Sequence, residues 1–335
     1  MKAIRITHHG TPEVLEVVEM PIPVPRPGEV LVRMRWAGIS RPDKLMRSGT
    51  YPWTRDILPF YPGLYGAGTV EALGKGVTEF QIGQSVYVEH PITCGCYAEY
   101  KTAPLHTLSP VPGECDLQLA AIASSHLIVW GMLTECFPHC EGKTLYIQGA
   151  AGSVGTAVLQ IAPLLGLKVI ASASTEEKCA YLRQLNTGAE VFCYTQLNPK
   201  ETILSLTGGK GADIIMDQSV GESFIPQMDY LADMGTILIY NNTKGFPSQN
   251  VIQAMTDRFG RCPSVRVFSF HFFDDKPELL ARKKREMFTL LAQGKLRPHV
   301  GAIFPLEQAV QAHTLLDSGN FYGSIVLDCS GVANC

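Results

Sequence analysis

The sequence predicts an α/β protein of two domains: a β-rich domain of irregular barrel type, and a doubly wound parallel sheet covered by helices. Three observations predict it. The chain has 335 residues, more than one average domain needs. Residues 1–120 break into short β-like runs punctuated by proline and glycine. From residue 121 the rhythm changes to strand, helix, strand, the pattern of parallel strands joined by helical crossovers.

In the first stretch, residues 1–6 alternate as a strand does and lack the long apolar region of a signal peptide. Residues 30–36, 68–73 and 85–89 read as further strands, separated by Pro27, Gly28, Pro62, Gly63, Gly74, Gly76 and Gly83. In the second stretch the expected strands are 143–148, 168–173, 190–194, 212–217, 235–239 and, at an edge, 265–270. Helices are expected at 153–165 and at 176–186, the latter stopping near Gly188. Two late helices, 278–293 and 306–318, precede a last strand at 323–327.

Composition bounds the function. An apolar fraction of 46% with 18% charged residues supplies a sizeable core and excludes disorder. A formal net charge of −3 gives no electrostatic attraction to nucleic acid or to an anionic membrane. No apolar run approaches the roughly 20 residues that span a bilayer. The ten cysteines are scattered singly, except Cys94 and Cys96. Without an export signal they read as free thiols in a reducing cytosol, and the expected location is cytoplasmic.

The stretch from Leu145 to Lys178 carries the most chemical information. An apolar strand runs into Gly149-Ala-Ala-Gly-Ser-Val-Gly155, an apolar helix follows, and a second strand ends in Ala171-Ser-Ala-Ser-Thr175. A glycine turn alone is often a tight connection and nothing more. Here the strand before it, the helix after it and the second strand at the right distance predict a dinucleotide site. Gly152 lets the backbone approach the pyrophosphate, Gly155 lets helix and strand pack, and the free amides at the helix start face the negative charge. Ala150, Ala151, Ser153 and Val154 complete that turn.

Cofactor choice turns on the end of the second strand. NAD sites place Asp or Glu there to accept from the ribose 2′-hydroxyl. This chain has no acid before Glu176, while Ser174 can donate to a 2′-phosphate and Lys178 can pair with it as a point charge. The bland alternative makes Ser174 or Thr175 a helix N-cap and Lys178 part of a solvated face. The missing acid and the lysine together favour NADPH.

Beside these motifs stand Pro27-Gly-Glu-Val-Leu-Val, Asp43 with Arg47-Ser-Gly-Thr-Tyr-Pro52, Pro62-Gly-Leu-Tyr-Gly-Ala-Gly-Thr-Val, Tyr97-Ala-Glu-Tyr, Asp217-Gln-Ser-Val-Gly221 and Gly323-Ser-Ile-Val-Leu327. In this order, over nearly the whole chain, they resemble the zinc-free quinone oxidoreductases and enoyl reductases of the medium-chain dehydrogenase/reductase superfamily, the zeta-crystallin-like group. The resemblance implies a GroES-like catalytic domain at 1–120, completed by 271–335, a Rossmann NADPH-binding domain at 121–270, and an active site in the cleft between them. It matches Lys178 and Tyr194 to positions holding the adenine ribose phosphate and the adenine side, and Asn241 to one lining the cofactor groove. It also implies a homodimer, paired through the edge strand near 265–270.

Zinc-dependent relatives need a cysteine near Gly38-Ile-Ser-Arg-Pro-Asp43 and a histidine after Gly63, where this chain has Leu64 and Tyr65. Cys94 and Cys96 are too close for a structural zinc lobe, and His90 and His139 have no partner by sequence. Metal-free hydride delivery to a quinone or an activated C=C bond is therefore expected, with the proton from Tyr or water.

By the same resemblance Ser40, Asp43, Leu45 and Tyr51 line the nicotinamide. Ser40, Leu45, Ser125 and Ile128 replace the polar Asn, Tyr, Lys and Thr frequent in the family, which leaves the acceptor open. Tyr51 is either a proton donor or clamp, or a loop aromatic bonded to backbone. Asp43 is expected to position its loop, and His126 to be a packed or surface histidine rather than a catalyst. Trp53, Phe60, Tyr61 and Tyr65 either shape an apolar pocket or belong to the core. Phe268, Phe270, Phe272 and Phe273 read as edge strand and interface. Two other functions stand beside the reductase: a biosynthetic tailoring enzyme acting on one pathway intermediate, and an NADPH-binding protein whose chemistry has eroded.

Overall fold

The computed structural model describes residues 1–51, 57–89 and 95–331. Trp53, His90 and Cys94 lie outside them. The chain divides into two compact units, Met1–Leu127 with Pro277–Cys335, and Ile128–Lys276.

The first unit is built on β strands. β1 (Lys2–Arg5) and β2 (Glu16–Glu19) pair antiparallel. The long β3 (Glu29–Ile39) is followed by a short helix, α1 (Arg41–Arg47). β4 (Tyr65–Leu73), β5 (Ser85–Glu89), β6 (Tyr100–Pro104) and β7 (Leu108–Pro110) come next, then α2 (Leu117–Ala121) and α3 (Ser124–Cys136), within which the second unit begins.

In the second unit strands and helices alternate: β8 (Thr144–Gln148), α4 (Ser153–Leu164), β9 (Lys168–Ala173), α5 (Glu176–Gln184), β10 (Glu190–Cys193), α6 (Pro199–Leu206) and β11 (Ala212–Asp217). β12 (Leu231–Ile239), α7 (Val251–Thr256) and β13 (Ser264–Val267) complete it. Its sheet has the order β10-β9-β8-β11-β12-β13, and every pairing is parallel. β8, β9 and β11 are buried along nearly their whole length, as strands covered on both faces must be. Tyr146, Ile170, Phe192, Ile215, Phe224 and Ile237 fill the core on one side.

The chain then returns to the first unit with α8 (Pro277–Ala292), β14 (Val300–Pro305), α9 (Ala309–Ser318) and β15 (Ser324–Asp328). β15 pairs β3, giving the order β14-β15-β3-β4-β5-β7, with β6 also on β3.

Three expectations need correction. The edge strand stops at Val267 rather than residue 270, because Ser269 takes the N-cap of a 3₁₀ turn, Phe270–Phe273, and accepts from the His271 amide at 3.3 Å. The four phenylalanines therefore do not form an interface strand. Phe273 is buried against Phe268, Phe270 and Phe272, and its ring fills the space beside Gly131. α1, α2, α3, α6, α7, β2, β6, β7 and β14 have no counterpart in the elements read from sequence. All but α3 are short, which masks their period, and the thirteen-residue α3 is buried on most sides and shows no polar stripe.

Candidate functional site

The second unit has a topological switch point. β8 and β11 are neighbours, yet their crossovers lead to opposite halves of the sheet, and ligands of such folds sit beyond the carboxyl ends of those strands. Beyond β8 lies the glycine turn. The Gly149 and Ala150 amides donate to the Ser172 carbonyl at 2.8 and 3.0 Å, tying the turn to β9.

The three glycines answer to three different constraints. Gly149 has φ +72°, which side chains rarely adopt. A Cβ on Gly155 would strike the Ala150 carbonyl oxygen, so helix and turn pack there without room. A Cβ on Gly152 would meet nothing within 4 Å, although its φ of −81° suits any residue. Among the described residues nothing crowds that position. Gly152 is also the N-cap of α4 and has no side chain to satisfy the helix's first amides, those of Ser153, Val154 and Gly155. The structure so provides a cradle and uncapped donors, both suited to a pyrophosphate. Ala150 and Ala151 are buried, so they can offer only backbone.

At the end of β9, Thr175 caps α5, its hydroxyl accepting from the Lys178 amide at 3.2 Å. The cap is thus Thr175 and not Ser174, whose side chain is left for other work. Ser174 and Lys178 are half-buried one helical turn apart, and no acidic side chain precedes Glu176 there. Tyr194 follows β10, its amide bonded to Ala173 at 3.0 Å, which brings it beside the same strand end. Asn241 lies just past β12, its side chain accepting from the Asn242 amide at 2.8 Å. All these predicted positions fall at the carboxyl edge of one sheet.

That edge holds groups sequence reasoning did not assign. Asp217, at the end of β11, accepts from the Ser219 and Val220 amides at 2.6 and 3.1 Å and from Gln227 at 2.8 Å. These bonds hold Val220 at φ +55°, unusual for a β-branched residue. Gln218 consequently abuts Gly149. Asp217-Gln-Ser-Val-Gly221 carried the only sequence signal, and a valine gives no hint of a left-handed backbone.

In the first unit the predicted catalytic residues lie on α1 or next to it, Asp43 within the helix, Ser40 at its N-cap and Tyr51 in the loop that follows. Ser40 is the N-cap of α1, and both its amide and its hydroxyl donate to Asp43 Oδ2, at 2.9 and 2.6 Å. Asp43 is wholly buried, and loss of hydration pushes its pKa up to about 6 against the pull of the Ser40 hydroxyl and amide. Tyr51 leaves α1 with its amide on the Leu45 carbonyl at 3.1 Å. Arg47, on the far end of α1, is buried against α9. It bonds His313 Nδ1 at 3.0 Å and Asp317 at 2.6 Å, and the other side of the His313 ring meets the Tyr97 hydroxyl at 3.3 Å. Burial and the neighbouring guanidinium depress His313 to about 3, so the ring is neutral.

The remaining candidates divide. Phe60 and Tyr65 are core, the Tyr65 ring lying on Gly38, while Tyr61 is exposed. Cys96 is buried, which pushes its thiol up to about 12 and leaves it unreactive at neutral pH. Leu64 is buried and carries no metal donor. Ser124, Ser125 and His126 are buried at the start of α3. Ser124 donates to Glu89 at 3.0 Å. Glu89 also accepts from Tyr87 at 2.9 Å and faces Lys284 of α8 at 3.4 Å. This buried carboxylate and its ammonium partner were not anticipated, because they come together from opposite ends of the chain.

Residues 26–113 match the alcohol dehydrogenase GroES-like domain family and residues 153–280 the zinc-binding dehydrogenase family. The chain is 32% identical to a quinone oxidoreductase of Lama guanicoe over 98% of its own length and 97% of that protein's. Its structure resembles that of an Escherichia coli quinone oxidoreductase complexed with NADPH, with a TM-score of 0.88, 26% identity, and coverage of 98% and 100% of the two chains. It resembles an NAD-dependent alcohol dehydrogenase nearly as well, at TM-score 0.87, 29% identity and coverage of 98% and 99%. Fold alone therefore does not choose the dinucleotide.

Proposed function

The chain belongs to the zeta-crystallin-like quinone oxidoreductases of the medium-chain dehydrogenase/reductase superfamily, and from that premise we propose that it uses NADPH, without a metal, to reduce a quinone or an activated C=C bond. The observation that carries the reading is the carboxyl edge of the second sheet, where the uncapped start of α4 and the open Gly152 stand beside a β9 end that offers Ser174 and Lys178 in place of an acid. NADPH supplies hydride. The Ser153, Val154 and Gly155 amides hold the pyrophosphate, Ser174 and Lys178 hold the 2′-phosphate, and Tyr194 and Asn241 border the adenine and the groove.

The acceptor gains a hydride and a proton. Ser40 is not the proton's source while Asp43 is ionised, because its hydroxyl hydrogen is already committed to that carboxylate at 2.6 Å. It presents lone pairs instead, and Asp43 acts as its positioning residue. The proton then comes from Tyr51 or water. Leu64 and Ser40 supply no thiolate or imidazole, which supports the metal-free reading. The same family membership supports a homodimer through β13, and the free thiols suit a cytoplasmic location.

Purified protein is expected to oxidise NADPH in the presence of members of a panel of quinones and α,β-unsaturated carbonyls. Failure across the panel would defeat the reductase reading, and tight NADPH binding without turnover would establish the eroded binder instead. Lys178→Glu decides the cofactor. It is expected to weaken NADPH by about 2–4 kcal/mol while sparing NADH, since it removes a charge-assisted contact and adds repulsion. Equal losses for both would refute the phosphate role.

A further inference from the structure

One cluster of metal-ligating side chains lies outside every role assigned above. Glu176 and Cys179 stand three residues apart on α5 and so share a face. β10 pairs parallel with β9, so its last residue, Cys193, finishes beside the start of α5. One carboxylate oxygen and two thiol sulfurs thus lie within 4.8 Å of one another. Among the described residues this is the one such group. Both thiols are free and almost wholly buried, while Glu176 is exposed and opens the cluster to solvent.

The donor set selects its ligand. Two thiolates exclude calcium and magnesium, which take oxygen, and suit zinc-class cations, with a carboxylate as third ligand and water as fourth. We propose that Glu176, Cys179 and Cys193 form a binding site for one thiophilic divalent cation. Zinc–sulfur bonds of about 2.3 Å in a tetrahedron bring the sulfurs to roughly 3.8 Å, so the donors close by about 1 Å at most. Each cysteine releases its proton as its sulfur bonds the metal, and no oxidation state changes. The Thr195 hydroxyl lies 3.1 Å from Cys193 and donates its own hydrogen to the Ser174 carbonyl at 2.9 Å; the Cys193 thiol sits below its ordinary value, while burial raises that of Cys179. Glu176 exchanges its ion pair with Arg183 for the metal.

The site lies apart from the catalytic zinc position of this superfamily, which would fall in the first unit. It ties α5 to β10 on either side of the strand end that bears Ser174. Its existence does not depend on the cofactor reading.

The test uses the full chain, reduced with a phosphine and stripped by a chelator. It is titrated with zinc against a chromophoric competitor and separately with cadmium. One tight equivalent, proton release and an ultraviolet cadmium–thiolate band are expected. The equivalent should disappear in Cys179→Ser and in Cys193→Ser and persist in Cys262→Ser, which alters an exposed thiol. Absence of a tight equivalent in the wild type, or its survival in both buried-thiol variants, overturns the proposal. If those variants do not fold, X-ray absorption at the zinc edge of the wild-type complex decides. Two sulfurs at about 2.3 Å support the site, and any other sulfur count sinks it.

Discussion

At the scale of single residues, Gly152 and Gly155 look alike in sequence and differ in what constrains them. A methyl at Gly155 collides with the Ala150 backbone, whereas at Gly152 it meets open space. Gly152→Ala should therefore cost about 1 kcal/mol of stability or less, the difference between glycine and alanine at an N-cap. NADPH affinity should fall much further, because the methyl occupies the pyrophosphate's approach. Urea unfolding beside a fluorescence titration separates the two effects, and unchanged affinity would remove the pyrophosphate from this turn. Asp43 supports a prediction on pH. Its folded-state pKa of about 6 lies above the ordinary 3.8, so the folded protein holds this proton more tightly than the unfolded chain. That contribution is fully present below about 4 and is lost as pH rises through 6. Relative to the wild type, Asp43→Asn should gain stability between pH 4 and 7, by roughly 2–3 kcal/mol. A difference flat with pH, measured by denaturant unfolding of cofactor-free protein, would contradict the buried carboxylate. The glycine turn, Ser174 and Lys178 were legible from sequence because they sit at fixed offsets from a strand and a helix. The Asp43–Ser40 bonds were legible only as an acid three residues after a serine. Burial, which sets the pKa, comes from neighbours that no local window contains.

At the scale of elements, β8, β9 and β11 of the second sheet were readable almost residue for residue, because burial on both faces writes them as continuous apolar runs, whereas β12 begins four residues before the run read for it. α1 was not. It is seven residues long, carries Pro42 in its first turn and buries an arginine and an aspartate, so it lacks an apolar stripe. What holds it is tertiary: Arg47 spans from α1 to His313 and Asp317 of α9. Such a helix is too short to be stable alone. Its Ser40 end is held separately, through the buried Asp43, which bonds Ser40 and the Gly63 and Leu64 backbone. Arg47→Ala takes the guanidinium from the buried His313, which keeps Tyr97, and from the part-buried Asp317, which keeps Lys44 at 3.2 Å, and should destabilise the protein by about 2–4 kcal/mol. Turnover should fall more than NADPH affinity, since the residues proposed to hold the cofactor lie in the other unit. Equal losses in both would mean that the network supports the whole fold rather than α1. The Glu89–Lys284 pair joins α8 to β5 by the same principle, and the sequence gives no sign of it because its partners are almost two hundred residues apart.

At the scale of the whole molecule, the order of the second sheet leaves β13 at an edge, with Val267 72% exposed. An edge strand is a row of unpaired amides and carbonyls, and proteins cover it or use it. The Phe268 amide bonds inward to the Ile239 carbonyl at 2.9 Å. Alternate residues of a strand turn their backbone groups to opposite sides, so those of Val267 face away from β12. Two copies related by a twofold axis can join these edges, the same patch meeting itself. That geometry permits a clean test. Val267→Pro removes one outward amide and leaves the ladder to β12 intact, a substitution edge strands tolerate. The wild type should sediment as a dimer, and the variant as a monomer with unchanged circular dichroism and retained NADPH binding. A wild-type monomer would end the homodimer reading. A variant that stays dimeric with its fold intact would keep the dimer but move its interface away from β13.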